Sequence, residues 1–236
     1  MKQLTSGQWA GGSGPPAPAA CPMRYRTATC RLDESVGEKN SGILLFDLGG
    51  VIVPWVGLEE LQNLTGLDRD GVLAKLETLP EFEACQTGRC TDAAFLAAMT
   101  ESFAPDMTPE DFADLWNSWV KPPYEGTKSI LESLKDRYTL ACLSNTNHLH
   151  WEYLKTRINL DELFDYTFAS HHIHAAKPGP ESFKIALERM EADAENVRFF
   201  DDTLENVTAA GRLGMTAFHV DRDVGVAPVL KQLDLI

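Results

Sequence analysis

Residues 43–53, with the sequence ILLFDLGGVIV, decide the fold of this chain. An apolar run of strand length ends in the carboxylate of Asp47, and Gly49 and Gly50 follow almost at once. An unpaired charge is costly away from water, so a buried strand does not normally end in an acid without a reason. Glycine has no side chain to keep the backbone amides away from a ligand. The stretch therefore predicts a functional carboxylate at the edge of a sheet, beside backbone that can approach an anion.

Composition and charge limit what this chain can bind. Its 236 residues, 44% of them hydrophobic, are enough for one α/β domain with an insertion. The formal net charge of −14 argues against non-specific binding to nucleic acid or to an anionic membrane surface. The cysteines are odd in number and irregularly spaced, which favours reduced thiols. We therefore expect a cytoplasmic protein, a monomer or homodimer, with no nucleic-acid or membrane partner.

The composition and periodicity of the sequence change near residue 42. Residues 1–41 include a Gly/Pro/Ala-rich stretch without periodicity, and we predict a disordered N-terminal tail there. From residue 42 onward, short apolar runs alternate with amphipathic stretches of helical period. The runs are Ile43–Phe46, Thr139–Leu143, Tyr166–Ala169, Val197–Phe200 and Thr216–Val220. This alternation predicts an α/β fold with a Rossmann-like parallel sheet and helices on both faces.

The first alternation is interrupted after Val53. The segment before the next apolar run is far longer than a crossover between parallel strands needs, and it has helical periodicity. Thr108–Asp111 resembles a capping box, with proline at the first helical position. We therefore predict a small all-helical cap, residues 55–119, inserted after the first strand of a core made of residues 42–54 and 120–236.

Polar side chains follow four of the five apolar runs. Ligands of open parallel sheets bind beyond the carboxyl ends of the strands, so these groups are expected to share one site. They are Asp47 after the first run, Ser144 and Asn145 after the second, Lys177 beyond the third, and Asp201 and Asp202 after the fourth. Three neighbouring carboxylates require compensation, and Mg²⁺ with its oxygen ligands fits that need. The alternative left open is that Asp201 or Asp202 only caps the following helix.

Four segments in this order resemble the motifs of the haloacid dehalogenase superfamily. They are residues 46–51 (FDLGGV), 143–147 (LSNTN), 177–178 (KP) and 199–206 (FFDDTLEN). The resemblance covers the chain from about Ile43 to Val220. The residues of the first two segments most resemble those of small bacterial sugar-phosphate phosphatases, including the α-glucose-1-phosphate phosphatase type. They also resemble those of the phosphatase domain of epoxide hydrolases.

The resemblance implies a nucleophile and a metal site. Asp47 would be the nucleophile and would form an aspartyl phosphate. Mg²⁺ would be bound by the Asp47 carboxylate, the backbone carbonyl of Gly49 and Asp202, with Asp201 nearby or linked through water. The resemblance therefore implies a hydrolase that depends on Mg²⁺.

The resemblance also implies a phosphate site. Ser144 and Lys177 would bind the phosphoryl oxygens, and Asn145 would add backbone or side-chain contacts. The backbone at Gly49 and Gly50 would lie close to the same group. The implied function is a phosphatase for a small phosphorylated metabolite, with a sugar phosphate favoured.

Gly49 departs from the family pattern. Many phosphatases of the superfamily carry an aspartate two residues after the nucleophile as the general acid and base, and its loss typically costs roughly 10²–10⁴-fold in rate. Three explanations stay open: another group such as His148 or His150 serves, the substrate has a good leaving group such as an anomeric sugar phosphate, or catalysis is weak or absent.

Two rival functions follow from that departure. L-2-haloacid dehalogenases of the same superfamily also lack the second acid and need no Mg²⁺. They typically have a serine/asparagine pattern where this chain has Asp201 and Asp202, so the acidic pair favours the phosphatase. The second rival is a non-catalytic member that binds Mg²⁺ and phosphate ligands for regulation or protein interaction.

The loop before Lys177 also departs from the family pattern. Relatives commonly have glycine three residues before the lysine, where this chain has His174. His171 and His172 lie nearby, and a transition-metal site is the alternative to solvated or hydrogen-bonded histidines. Because His174 replaces glycine, the placement of Lys177 stays open at this stage.

Overall fold

The computed structural model describes residues 42–236, so the predicted tail at residues 1–41 lies outside the described residues. Its centre is a five-stranded parallel sheet in the order β3-β2-β1-β4-β5. The strands are β1 (Ile43–Phe46), β2 (Thr139–Ser144), β3 (Tyr166–Ala169), β4 (Val197–Asp201) and β5 (Thr216–His219). The predicted α/β fold with a Rossmann-like sheet is confirmed.

Twelve α-helices surround the sheet in the described part of the chain. In chain order they are α1 (Gly57–Thr65), α2 (Arg69–Glu77), α3 (Pro80–Gln86), α4 (Asp92–Phe103), α5 (Pro109–Ser118), α6 (Thr127–Leu134), α7 (His148–Ile158), α8 (Leu160–Leu163), α9 (Ser170–Ile173), α10 (Pro180–Arg189), α11 (Leu204–Arg212) and α12 (Ala227–Gln232). Of these described helices, none is both long enough and apolar enough to cross a membrane.

Burial on both faces explains why the central strand is apolar throughout. Leu44 and Phe46 belong to one core cluster and Leu45 to the other, as expected when successive side chains of a strand point to opposite faces. All three side chains are fully buried. A parallel sheet covered by helices on both faces needs such an unbroken apolar run.

The predicted helical cap is present as α1–α5, between β1 and β2. Its apolar side chains form a cluster of their own, which includes the buried Phe112, Trp116 and Trp119. At the start of α5 the Thr108 hydroxyl accepts the Asp111 N–H at 3.1 Å and donates to the Asp111 carboxylate at 2.8 Å. The predicted N-cap at Thr108 therefore forms, and the Asp111 carboxylate pairs with the Thr108 hydroxyl. The division into a separate core and cap at residues 55 and 119 stays a prediction.

Two strands extend further toward the site than the sequence predicted. β2 includes Ser144, which pairs with Ala169, and β4 includes Asp201, which pairs with His219. Sequence patterns placed the strand ends one residue earlier, because a polar residue ends an apolar run. Pairing with the neighbouring strand keeps both residues in the sheet, so their side chains have fixed positions at its edge.

Candidate active site

The carboxyl ends of β1 and β4 bring three carboxylates together. Phe46 pairs with Phe200, and the Asp47 N–H donates to the Phe200 carbonyl at 2.9 Å. This register places Asp47 beside Asp201 and Asp202, with one oxygen of each carboxylate within 4.8 Å of the others. Across residues 42–236 no other three His, Cys, Asp or Glu side chains come together in this way. Strand pairing alone therefore builds the acidic cluster.

Lys177 lies between two of these carboxylates. Its side chain is fully buried, and its Nζ lies 3.0 Å from Asp47 Oδ1 and 2.6 Å from Asp201 Oδ2. The substitution of His174 for glycine does not displace it, because His174 itself adopts the left-handed conformation with φ of 56°. A glycine is the usual residue in that conformation, which explains the family pattern.

Asn145 holds the backbone of Lys177. Its Oδ1 accepts the Lys177 N–H at 2.8 Å, and its Nδ2 donates to the Lys177 carbonyl at 2.7 Å. Because both polar atoms of the side chain are used in this way, the backbone of Asn145 is what remains for the predicted phosphate contact. That contact stays a prediction, whereas the positioning of Lys177 by Asn145 was not foreseen.

Asp201 and Asp202 are adjacent in sequence but differ in environment. Asp201 is fully buried and accepts hydrogen bonds from Lys177 Nζ, the Thr203 N–H at 2.8 Å and Asn206 Nδ2 at 3.0 Å. The side chain of Asp202 is 14% exposed, lines the cavity in front of Asp47, and lies 3.8 Å from Arg222 Nε. Neither is the N-cap residue of α11, which is Thr203. The capping alternative therefore does not hold in this structure.

Burial and mutual repulsion shift the acidity of the cluster. Burial is the largest cause that raises the pKa of Asp47 to about 7; Lys177 opposes it, while Asp201 and Asp202 add to it. Burial raises the pKa of Asp202 as well, with a further rise from Asp201. Burial alone would lower the pKa of Lys177, but Asp47 and Asp201 together hold it above the ordinary value. One buried cation does not balance three carboxylates, so the cluster favours a further cation.

Gly50 and Gly49 meet different steric conditions. Gly50 has φ of 75°, and a Cβ there would lie 2.5 Å from Asp202 Oδ2. Any residue with a Cβ at position 50 would therefore clash with the Asp202 carboxylate. A Cβ on Gly49 would meet nothing closer than Trp55 Cβ at 3.6 Å, an ordinary contact. Clustered carboxylate oxygens packed against bare backbone are a hard donor set, and this set fits Mg²⁺.

Ser144 and the loop after it face the same cavity. Ser144 is buried at the end of β2 and lines the cavity together with Asp47 and Lys177. The Ser170 hydroxyl fixes the loop, because it accepts the Thr146 N–H at 2.9 Å and donates to the Thr146 carbonyl at 3.0 Å. Asn147 then caps α7 through the His150 N–H at 3.0 Å. Ser144 therefore has a fixed position beside Asp47.

His150 lies in the cavity lining, but it is already engaged. Its Nε2 lies 2.8 Å from the Trp116 carbonyl, and its ring stacks on the Trp116 ring with the centroids 4.7 Å apart. Burial lowers the pKa of His150 to about 4, so the imidazole is neutral near pH 7 and donates its Nε2–H to that carbonyl. His150 is therefore a poor candidate for the missing general acid, and it ties α7 to the cap helix α5.

The histidines before Lys177 do not gather as metal ligands within the described residues. The rings of His171 and His172 lie 4.1 Å apart between centroids, and burial lowers the pKa of both. His174 Nδ1 lies 3.0 Å from the carbonyl of Thr87 in the cap. The structure thus supports hydrogen-bonded and packed histidines, and His174 forms a second polar link between cap and core.

Two contributors to the site were not predicted from the sequence. Asn206 lies within the fourth motif, five residues after Asp201 in the first turn of α11, and its place in that motif was the signal that could have identified it. Arg222 follows β5, outside all four motifs; its Nη2 donates to the Trp55 carbonyl at 2.9 Å, and nothing in its local sequence points to the site.

The chain is similar to known hydrolases over most of its length. Residues 43–214 match the model of the haloacid dehalogenase-like hydrolases. A sesquiterpene phosphatase of Aspergillus oryzae is 26% identical over 190 residues, which cover 80% of this chain and 94% of that protein.

Solved structures of similar fold include two hydrolases of different kinds. One is a family enzyme of Bacteroides thetaiotaomicron in complex with magnesium and inorganic phosphate, 25% identical, with a TM-score of 0.65 over 75% of this chain and 93% of that one. An L-2-haloacid dehalogenase is 19% identical, with a TM-score of 0.57 over 79% of this chain and 88% of that one. The second likeness concerns the fold alone.

Proposed function

The chain belongs to the haloacid dehalogenase-like hydrolase family, and we propose that it is a Mg²⁺-dependent phosphatase for a small phosphorylated metabolite. One observation carries the proposal: Lys177 Nζ lies 3.0 Å from Asp47 and 2.6 Å from Asp201, at the edge of the sheet where Ser144 and Asp202 meet them. A buried cation beside a buried carboxylate suits a nucleophile that receives a phosphoryl group. The name of the Aspergillus protein, and the magnesium and inorganic phosphate bound to the Bacteroides enzyme, agree with this function.

In the proposed reaction the Asp47 carboxylate attacks phosphorus and the leaving group departs, which gives an aspartyl phosphate that water then hydrolyses. Lys177 opposes the effect of burial on Asp47 and so favours the ionised, nucleophilic carboxylate. Lys177 and Ser144 bind the phosphoryl oxygens. Asp201 acts as a positioning residue, because its contacts fix the Lys177 ammonium.

Asp47, Asp202 and the backbone carbonyl of Gly49 would hold Mg²⁺. When bound, the ion supplies positive charge that offsets the carboxylates and the phosphoryl oxygens. The cap, residues 55–119, selects the substrate over a core made of residues 42–54 and 120–236. The resemblance of the motifs favours a sugar phosphate, and that identity stays a prediction.

Phosphate release with and without Mg²⁺ tests the function. We expect the purified protein to release phosphate from members of a phosphoester panel with Mg²⁺ present, to stop in EDTA, and to recover when Mg²⁺ is restored. Halide release from a 2-haloacid in EDTA would instead identify a dehalogenase. Phosphate binding by calorimetry without turnover of either substrate class would identify a non-catalytic binding protein.

Asp202→Asn and Asp201→Asn form a matched pair that separates metal binding from positioning. We expect Asp202→Asn to raise the Mg²⁺ concentration for half-maximal activity by roughly 10–100-fold, since a ligand charge is lost. Asp201→Asn would set its amide N–H₂ against either Lys177 Nζ or the Thr203 N–H, a donor against a donor in both orientations, and lower the free energy of unfolding by about 1–3 kcal/mol. Activity titrations with Mg²⁺ and urea unfolding in EDTA measure the two effects. A larger shift in Mg²⁺ requirement for Asp201→Asn would contradict the assignment.

A further inference from the structure

The cavity in front of Asp47 is lined by two unlike sets of residues. It has a volume of about 250 Å³. One set consists of the polar residues at the strand ends described above. The other set, which we call the apolar wall, comes mostly from the cap and the segments that flank it. The apolar wall consists of Trp55, Leu58, Phe82, Trp116, Val120 and Leu154. The group attached to a phosphate at Lys177 would therefore lie next to the apolar wall.

The tryptophans present carbon to the cavity. The indole Nε1 atoms of Trp55 and Trp116 are buried from solvent and have no hydrogen-bond partner among the described residues. Since these N–H groups are shielded while the residues line the cavity, the accessible part of each side chain is ring carbon. His150 adds no charge near pH 7, because burial lowers its pKa to about 4, and its ring stacks on Trp116.

A sugar would find few partners in this part of the cavity. Each hydroxyl removed from water needs a hydrogen bond, and an unpaired one costs free energy. The cap contributes two hydrogen-bonding side chains to the lining, Arg69 and Gln86. The other polar lining residues, Arg222 among them, belong to the core, so the hydroxyls of a hexose placed against the cap would have two side chains to pair with, whereas a hydrocarbon needs none of them.

Building on the phosphatase activity proposed above, we propose that the substrate is the phosphate ester of an apolar alcohol, with its hydrocarbon chain against the apolar wall. The phosphoryl group passes to Asp47 as the ester P–O bond breaks. Water then cleaves the aspartyl phosphate. Over the cycle the phosphate gains the hydroxyl of that water and the alcohol oxygen gains its proton, so the products are inorganic phosphate and the free alcohol.

The gain in kcat/KM from burying an apolar chain is comparable to the rate that is lost without an acid at position 49. Each buried methylene is worth about fourfold in kcat/KM. About four to six methylenes would then contribute a factor comparable to the roughly 10²–10⁴-fold that a missing general acid costs. Uniform binding of this kind raises kcat/KM without raising kcat. An apolar chain can therefore compensate for Gly49 at low substrate concentration.

A series of n-alkylphosphonates from ethyl to octyl tests this inference. They are measured as competitive inhibitors of acetyl phosphate hydrolysis with Mg²⁺ present, because acetate leaves without a proton and does not need the apolar wall. We expect the inhibition constant to fall by up to about fourfold per methylene, and by at least roughly 100-fold across the series. Inhibition that does not depend on chain length, or a higher kcat/KM for glucose 1-phosphate than for octyl phosphate, would overturn the inference.

Phe82→Ser, with Leu73→Ser as its control, tests the location of the chain. Phe82 belongs to the apolar wall, whereas Leu73 is an exposed residue of α2 outside the cavity lining. Phe82→Ser should weaken octylphosphonate at least roughly tenfold and leave ethylphosphonate nearly unchanged, and Leu73→Ser should alter neither. Equal weakening of both phosphonates by a folded Phe82→Ser protein would contradict the location. If Phe82→Ser does not fold, the wild-type series decides alone.

The two proposals can fail separately. If acetyl phosphate and the phosphoester panel are not hydrolysed, the phosphatase proposal fails, and calorimetry with the same phosphonates still measures whether affinity rises with chain length. If acetyl phosphate is hydrolysed but the series is flat, the phosphatase proposal stands and the apolar substrate is wrong.

Discussion

The Asp47→Asn variant is expected to lose phosphatase activity by roughly 10⁴-fold or more, since the proposed nucleophile is removed with little change in shape. Wild-type protein quenched with acid during turnover should carry a phosphoryl group on the peptide that contains residue 47, and the variant should carry none. Asp114→Asn, at an exposed position of α5, is the matched control and should behave as wild type. Full turnover by Asp47→Asn would refute the mechanism.

The same substitution should stabilise the metal-free protein at neutral and alkaline pH. The pKa of Asp47 is raised to about 7 in the folded state, whereas an unfolded aspartate ionises near about 3.9. The unfolded state therefore releases the proton first, and wild-type stability falls as the pH rises between these values. Asparagine avoids the loss, so its advantage in urea unfolding with EDTA should be absent below about pH 4 and approach about 4 kcal/mol well above pH 7. A variant less stable than wild type at pH 8 would contradict the electrostatic account.

Lys177→Met is expected to affect folding and activity together. It leaves Asp47 and Asp201 buried without their shared cation, and breaking a buried ion pair in this way costs about 3–5 kcal/mol. Activity should fall by roughly 10²–10³-fold, because an electrostatic partner of the phosphoryl group is lost. Both effects can be measured, by urea unfolding and by phosphate release at saturating Mg²⁺.

The pH dependence identifies the cause of the Lys177→Met effect. Without Lys177 the pKa of the buried Asp47 carboxyl rises further above about 7, so the loss of stability should grow as the pH rises above about 7, where wild-type Asp47 ionises, and should be smaller below it, where Asp47 is protonated in both folded proteins. Lys155→Met is the control; Lys155 is a half-exposed lysine with Nζ 3.7 Å from Glu152, and we expect a change within about 0.5 kcal/mol. A loss in Lys177→Met that does not vary with pH would indicate a packing defect instead.

The sheet and the clustering of the residues at its strand ends could both be predicted from the sequence, for the same reason. In a parallel sheet, residues that follow the strands gather at one edge whatever the details of the helices, so Asp47, Asp201 and Ser144 could be placed together from spacing alone. Residues that act through tertiary contacts could not. Asn145 holds Lys177 from the neighbouring loop, and Arg222 reaches the site from beyond β5.

The apolar wall was beyond prediction for a similar reason. Trp116 belongs to the apolar face of α5, and such a face packs inward whether or not a cavity lies beside it. Whether Trp116 and Phe82 also line a cavity depends on how the cap helices sit on the sheet, and helical periodicity does not encode that. The same limit applies to His150, which the sequence offered as an acid and the structure uses as a link between α7 and α5.

The bare backbone at Gly49 leaves room for a Cβ but lies beside a cluster of negative charge. A Cβ there would find ordinary contacts, the nearest at 3.6 Å from Trp55 Cβ. The obstacle to an aspartate here is a fourth carboxylate beside three that one lysine already fails to balance. We therefore expect an acid at this position to be tolerated only while a cation occupies the cluster.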